Sequence, residues 1–139
     1  EVEKQWGSNV NARRYVVCTG GEPLLQLDRD LVAAFHGRGF EVAIETNGTL
    51  SVPEGVDWVC VSPKGTTPVQ VKSGDELKLV YPQNDLDPSQ FLSWNFDHFF
   101  IQPKDGMEIE VNTQLAIQFC KEHPQWRLGI QAHKVIGVD

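Results

Sequence analysis

Tyr15-Val16-Val17-Cys18-Thr19-Gly20-Gly21-Glu22-Pro23 (YVVCTGGEP) decides the fold. Residues 15–18 form a continuous apolar run and read as a buried strand. Two glycines and a proline then end it. Pro23 suits the first turn of a helix, where its missing N–H is not needed. Leu24, Leu27, Leu31, Ala34 and Phe35 recur at helical spacing until Gly37 and Gly39, so the pattern predicts one helix starting at Pro23. Residues 40–44 (FEVAI) restart a strand that Asn47-Gly48 closes. Strand, helix, strand implies a parallel pair joined by a crossover.

The same punctuation continues outward. Further strands are expected at 57–61 (DWVCV), 76–81 (ELKLVY), 98–101 (HFFI) and 126–131 (WRLGIQ). A helix is expected over about 112–121, with Leu115, Ala116, Phe119 and Cys120 on one face. Residues 1–14 read as a polar lead-in. The fold class is therefore α/β with a mostly parallel sheet, and the strands read as apolar on both faces.

In such sheets ligands bind at the carboxyl ends of the strands. Polar residues collect there in series: Thr19-Gly20-Gly21-Glu22-Pro23, Glu45-Thr46-Asn47-Gly48, Ser62-Pro63-Lys64-Gly65, Pro82-Gln83, Gln102-Pro103-Lys104-Asp105-Gly106 and His133-Lys134. Glycines before a helix let a ligand approach the backbone. Glu22 would attract an ammonium group, and equally it suits the start of a helix dipole. Glu45 stands where acidic residues take ribose hydroxyls, while Asn47-Gly48 is also a plain turn signal. Ser62 and Lys64 suit a carboxylate. Gln102 and Pro103 end an apolar strand that could meet an aromatic amino edge. His133 and Lys134 read equally as solvated loop residues. No GxxxxGK[ST] or GxGxxG motif is present.

The chain has 139 residues, a length that suits one domain. Twelve Lys and Arg against 19 Asp and Glu give a net charge of −7, which argues against direct binding of nucleic-acid phosphates. Cys18, Cys60 and Cys120 form no CxxC pair and read as small buried hydrophobes in a reducing compartment. No stretch reads as a membrane span or a signal peptide, which leads us to expect a cytoplasmic protein without membrane partners.

The rim thus offers a cation acceptor, a hydroxyl acceptor and a carboxylate binder. An ammonium, a ribose and a carboxylate occur together in S-adenosylmethionine. TGGEP, then ETNG, then VSPK on successive strand ends resembles the radical S-adenosylmethionine enzymes. The runs GDELKLVYPQ, FDHFFIQPKDG and HPQWRLGIQAHKVIGV narrow the resemblance to the 7-carboxy-7-deazaguanine synthase family, over residues 15–138.

The resemblance implies a partial β/α barrel and a radical lyase. Its substrate would be 6-carboxy-5,6,7,8-tetrahydropterin and its product 7-carboxy-7-deazaguanine, in queuosine biosynthesis. S-adenosylmethionine, a [4Fe-4S] cluster and Mg²⁺ would be the cofactors, and a homodimer the assembly. Thr19, Gly20, Gly21 and Glu22 would hold the ammonium end of S-adenosylmethionine. Glu45 and Asn47 would face its ribose or the substrate, Ser62 and Lys64 its carboxylate, and Gln102 and Pro103 its adenine. Gly21, Asn47, His133 and Lys134 would lie near the substrate. The family binds its cluster through three cysteines in an N-terminal loop, with the Mg²⁺ ligands beside them. None of the three cysteines here matches that motif. Residues 15–139 therefore read as the C-terminal two-thirds of a radical S-adenosylmethionine core domain, inactive alone. A binding module without catalysis, or a radical enzyme acting on another heterocycle, are the competing expectations.

Overall fold

The computed structural model describes residues 1–6 and 13–137, with the side chains of His133 and Val135 outside that description. Six parallel strands form one sheet in sequence order: β1 (Arg14–Cys18), β2 (Phe40–Thr46), β3 (Trp58–Val61), β4 (Ser73–Tyr81), β5 (Asn95–Pro103) and β6 (Trp126–Leu128). The sheet is open among the described residues, with β1 and β6 at its edges. The helices are α1 (Val2–Trp6), α2 (Arg29–His36), α3 (Ile109–Glu122) and α4 (Ala132–Ile136).

Register separates two faces. Thr46, Val61, Leu77, Phe99 and Trp126 lie side by side across five strands. That face is the core: Leu77, Leu79, Ile101 and Val61 are fully buried with Phe91, Ala116 and Trp126. A second cluster, Leu27, Val32, Val42 and Ile44, continues it under α2. Each buried aliphatic side chain contributes about 1.5–3 kcal/mol. One position earlier, Glu45, Cys60, Glu76 and His98 form the opposing row. The strands are thus not apolar on both faces as expected. Glu76 and Lys78 alternate with Leu77 and Leu79, and this period-2 pattern puts charge on one face only.

Other expectations are revised. The single helix from Pro23 divides into a 3₁₀ turn (Pro23–Leu25) and α2. Asp28 restarts the helix by accepting the Leu31 N–H at 2.8 Å, as a good N-cap does. On α3 the buried residues are Asn112 and Ala116, with Phe119 and Cys120 packed on the core, while Leu115 faces solvent. The polar lead-in contains α1, whose Trp6 packs edge-on against Phe40 and whose Glu3 pairs with Arg14 and Arg38. β6 stops at Leu128 rather than Gln131, and His133 and Lys134 fall in α4 rather than in a loop.

Candidate functional site

The TGGEP turn is wired to the end of β2. Glu22 Oε1 accepts from Leu24 N–H at 3.1 Å and from the Thr46 hydroxyl at 2.6 Å. Its Oε2 accepts from Asn47 N–H at 2.8 Å. Thr46 Oγ1 in turn accepts from Gly48 N–H at 3.0 Å, and Asn47 Oδ1 closes a local turn onto Thr49 N–H at 2.9 Å. Thr46 is buried and every polar function of its side chain is used.

Gly48 is required at this junction. Its φ is +78°, and a Cβ there would stand 2.7 Å from Val69 Cγ1 and 2.8 Å from Val61 Cγ1. Gly20, with φ +119°, and Gly21 differ: a Cβ at either would meet no atom within 4 Å. Their backbone borders open space, the arrangement a ligand-cradling turn needs.

That space is a cavity of about 430 Å³ over the carboxyl ends of the strands, a size ordinary for small-molecule sites. Eight expected residues line it: Thr19, Gly20, Gly21, Glu45, Asn47, Ser62, Lys64 and Gln102. Glu22 does not, because its carboxylate is spent on the turn. Pro103 is buried beside the lining, and Lys134 pairs instead with Asp105. The side chain of His133 lies outside the described residues. Lys78 and Val80 complete the wall from β4, and Ile130, Gln131 and Ala132 border it from the chain after β6. The signal for Lys78 was present as the charged member of an alternating strand.

Charge in the cavity is ordered. Lys78 Nζ lies 2.9 Å from Glu45 Oε2. Lys64 Nζ donates to Ser62 Oγ at 2.9 Å and meets no carboxylate within salt-bridge distance among the described residues. Burial, and then the charge of Lys78, hold the Lys64 ammonium below its usual value. Burial also pulls on Lys78, but its hydrogen bond to Glu45 and the surrounding negative groups outweigh this and raise it. Cys60 donates to Glu76 at 3.5 Å, and burial pushes its thiol far up. Lys64 is thus the cation open to an incoming anion.

The lining brings together a cation with a hydroxyl (Lys64 and Ser62), an open glycine backbone (Gly20 and Gly21), a carboxylate (Glu45) and an amide (Gln102), a donor and acceptor set compatible with a ligand such as S-adenosylmethionine. The three cysteines do not fit an iron–sulfur cluster. Cys60 is on the cavity face, whereas Cys18 and Cys120 pack into two separate core clusters on the other. Among the described residues no three His, Cys, Asp or Glu side chains converge as metal ligands. No helix among them is long and apolar enough to cross a membrane.

No protein-family model matches the chain. Curated relatives do. A 7-carboxy-7-deazaguanine synthase of Caulobacter vibrioides is 54% identical over 99% of this chain and 65% of its own length. That of Bordetella pertussis is 59% identical over 96% of this chain and 63% of its own. That of Bacteroides thetaiotaomicron is 41% identical over 88% and 64%. The chain spans less than two thirds of the length of these relatives. More than half of its residues are identical to those of two of these proteins over nearly all its length, so the chain is similar throughout the stretch it spans to proteins named 7-carboxy-7-deazaguanine synthase.

Proposed function

We propose that this chain supplies the S-adenosylmethionine pocket of a radical lyase that converts 6-carboxy-5,6,7,8-tetrahydropterin to 7-carboxy-7-deazaguanine. The observation that carries the reading is the cavity itself. Residues from five successive strand ends converge on it, and they match the ammonium, carboxylate and ribose of one cofactor. Bound there, S-adenosylmethionine would supply the hydrogen-abstracting adenosyl group. The chain's own part is to grip both ends of it: Lys64 and Ser62 fix the carboxylate, the glycine turn accommodates the ammonium end, and Glu45 fixes the sugar. Such positioning is what protein contributes to cofactor chemistry.

The six-stranded parallel sheet fits an incomplete β/α barrel whose ligand face is the charged one. The pterin would lie beside Gly21 and Asn47, which line the cavity. The acidic balance supports a small-molecule substrate rather than direct nucleic-acid binding. Iron–sulfur and Mg²⁺ ligation lie beyond what the three scattered cysteines support, so the chain by itself is proposed to bind the cofactor without turnover.

Two measurements test this. Calorimetric titration of the chain with S-adenosylmethionine should give saturable binding, and a flat titration would remove the pocket reading. A chimera in which this chain replaces the matching region of the Caulobacter vibrioides relative should form 7-carboxy-7-deazaguanine, detected by mass. Cofactor cleavage without that product would assign the chain to a different heterocycle.

A further inference from the structure

Glu45 and Lys78 meet across an intervening strand. Glu45 is on β2 and Lys78 on β4, with β3 between them. The crossing passes over Cys60 of β3, which pairs with Glu45 on one side and Glu76 on the other. The lysine stem is largely covered, with 18% of its side chain exposed, while the carboxylate is 43% exposed. Lys78 holds Oε2 of Glu45 at 2.9 Å. Oε1 forms no hydrogen bond among the described residues, and Glu45 lines the cavity. One oxygen is clamped and the other is presented.

The two cavity lysines are therefore not equivalent. Lys64 rests on a hydroxyl and stays available to an anion. Lys78 is already neutralised by a carboxylate and offers little to a second one. A half-exposed glutamate without a partner would have to give up about 1–2 kcal/mol of rotamer freedom when a ligand fixed it. Glu76, two positions before Lys78 on the same face, would also repel it.

We propose that Lys78 is a positioning residue: it clamps Glu45 so that the free carboxylate oxygen meets the vicinal diol of a ribose-bearing ligand. The inference rests on the reading of the cavity as a nucleoside-cofactor site and deepens it. The raised pKa of Lys78 keeps the clamp charged at neutral pH.

The test is equilibrium binding of S-adenosylhomocysteine and its 2′,3′-dideoxy analogue to the wild-type chain, Lys78→Met, Lys78→Arg, Glu45→Gln and the Lys78→Met/Glu45→Gln pair. Lys78→Gln is a second neutral variant should Lys78→Met fold poorly, and unfolding midpoints report on each fold. The proposal expects Lys78→Met to weaken the diol ligand about tenfold, or about 1.4 kcal/mol. It expects Lys78→Arg to recover binding to within about threefold, and the dideoxy ligand to change less than about threefold. In the Glu45→Gln background, Lys78→Met should add nothing. Equal losses for both ligands, or additive losses in the double variant, would overturn the clamp while leaving the pocket reading intact. A wild-type chain that binds neither ligand overturns the pocket reading and the clamp together.

Discussion

Glu22 and Asn47, 25 positions apart in sequence, are joined by a 2.8 Å hydrogen bond from the Asn47 N–H to Glu22 Oε2. The glutamate of the glycine turn is thereby the strut between the first two strand ends. A residue that looks like a ligand for an ammonium group acts first on the protein, and any effect it has on a ligand passes through the geometry of Gly20, Gly21 and Asn47.

Replacing Glu22 by Ala removes the acceptor of three hydrogen bonds at once, to Leu24 N–H, the Thr46 hydroxyl and Asn47 N–H. Hydrogen bonds to a charged acceptor are worth about 1.5–3 kcal/mol, and solvent replaces part of the loss at this part-buried site. We expect a net cost of about 2–3 kcal/mol in urea unfolding. Glu22→Gln should cost less, because it keeps one acceptor oxygen. An alanine variant as stable as the wild type would show that the strut carries no energy.

Gly48→Ala meets two obstacles, a φ of +78° and contacts of 2.7 and 2.8 Å with Val69 and Val61. Strain at positive φ and overlap together should cost about 2–4 kcal/mol. Gly21→Ala has open space around its Cβ, so its stability should change little. The two alanines should separate in opposite ways: Gly48→Ala lowers the denaturation midpoint, and Gly21→Ala chiefly weakens cofactor binding by adding a methyl group to the cavity lining. Equal unfolding midpoints for the two would contradict this account.

The strands were legible because each apolar run ends in glycine, proline or a polar group, and all six appear where expected with altered ends. The break after Leu25 was not legible from apolar spacing, since Leu24, Leu27 and Leu31 keep a helical period through it. The polar signal was Asp28, an N-cap inside an apparent helix. Eight of the residues that line the cavity were legible as strand-end chemistry. Glu22 reads two ways in the sequence because a carboxylate in a turn can bind either a ligand or the chain's own amides, and tertiary geometry shows it accepting from Leu24, Thr46 and Asn47. Lys78 was not legible as a cavity residue because it sits within a strand, three residues before its end, and not in the loop that follows.

Lys64 is predicted to discriminate by the ligand's carboxylate. Lys64→Met should weaken S-adenosylhomocysteine by about tenfold or more, the loss of one charge-assisted contact. It should leave adenosine, which has no carboxylate, nearly unchanged. Because burial and Lys78 both disfavour the Lys64 charge, the variant should be at least as stable as the wild type. Comparable losses for adenosine would assign Lys64 to the general shape of the cavity rather than to the anion.

Acid stability should depend on Asp57, at the other end of the sheet. Its Oδ2 accepts from Val42 N–H at 2.7 Å and pairs with His36 Nε2 at 2.8 Å. The Val42 amide first, and then His36, hold the carboxyl below its ordinary value despite some burial. A carboxyl whose folded pKa is depressed stabilises the fold fully above the unfolded value of about 3.9. It loses that stabilisation as pH falls through the lower folded value. The advantage of the wild type over Asp57→Asn should therefore be greatest near pH 6 and narrow steadily below about pH 4. Urea unfolding of both proteins from pH 6 to pH 3 measures it. A gap that stays constant over that range would mean Asp57 contributes shape and not charge.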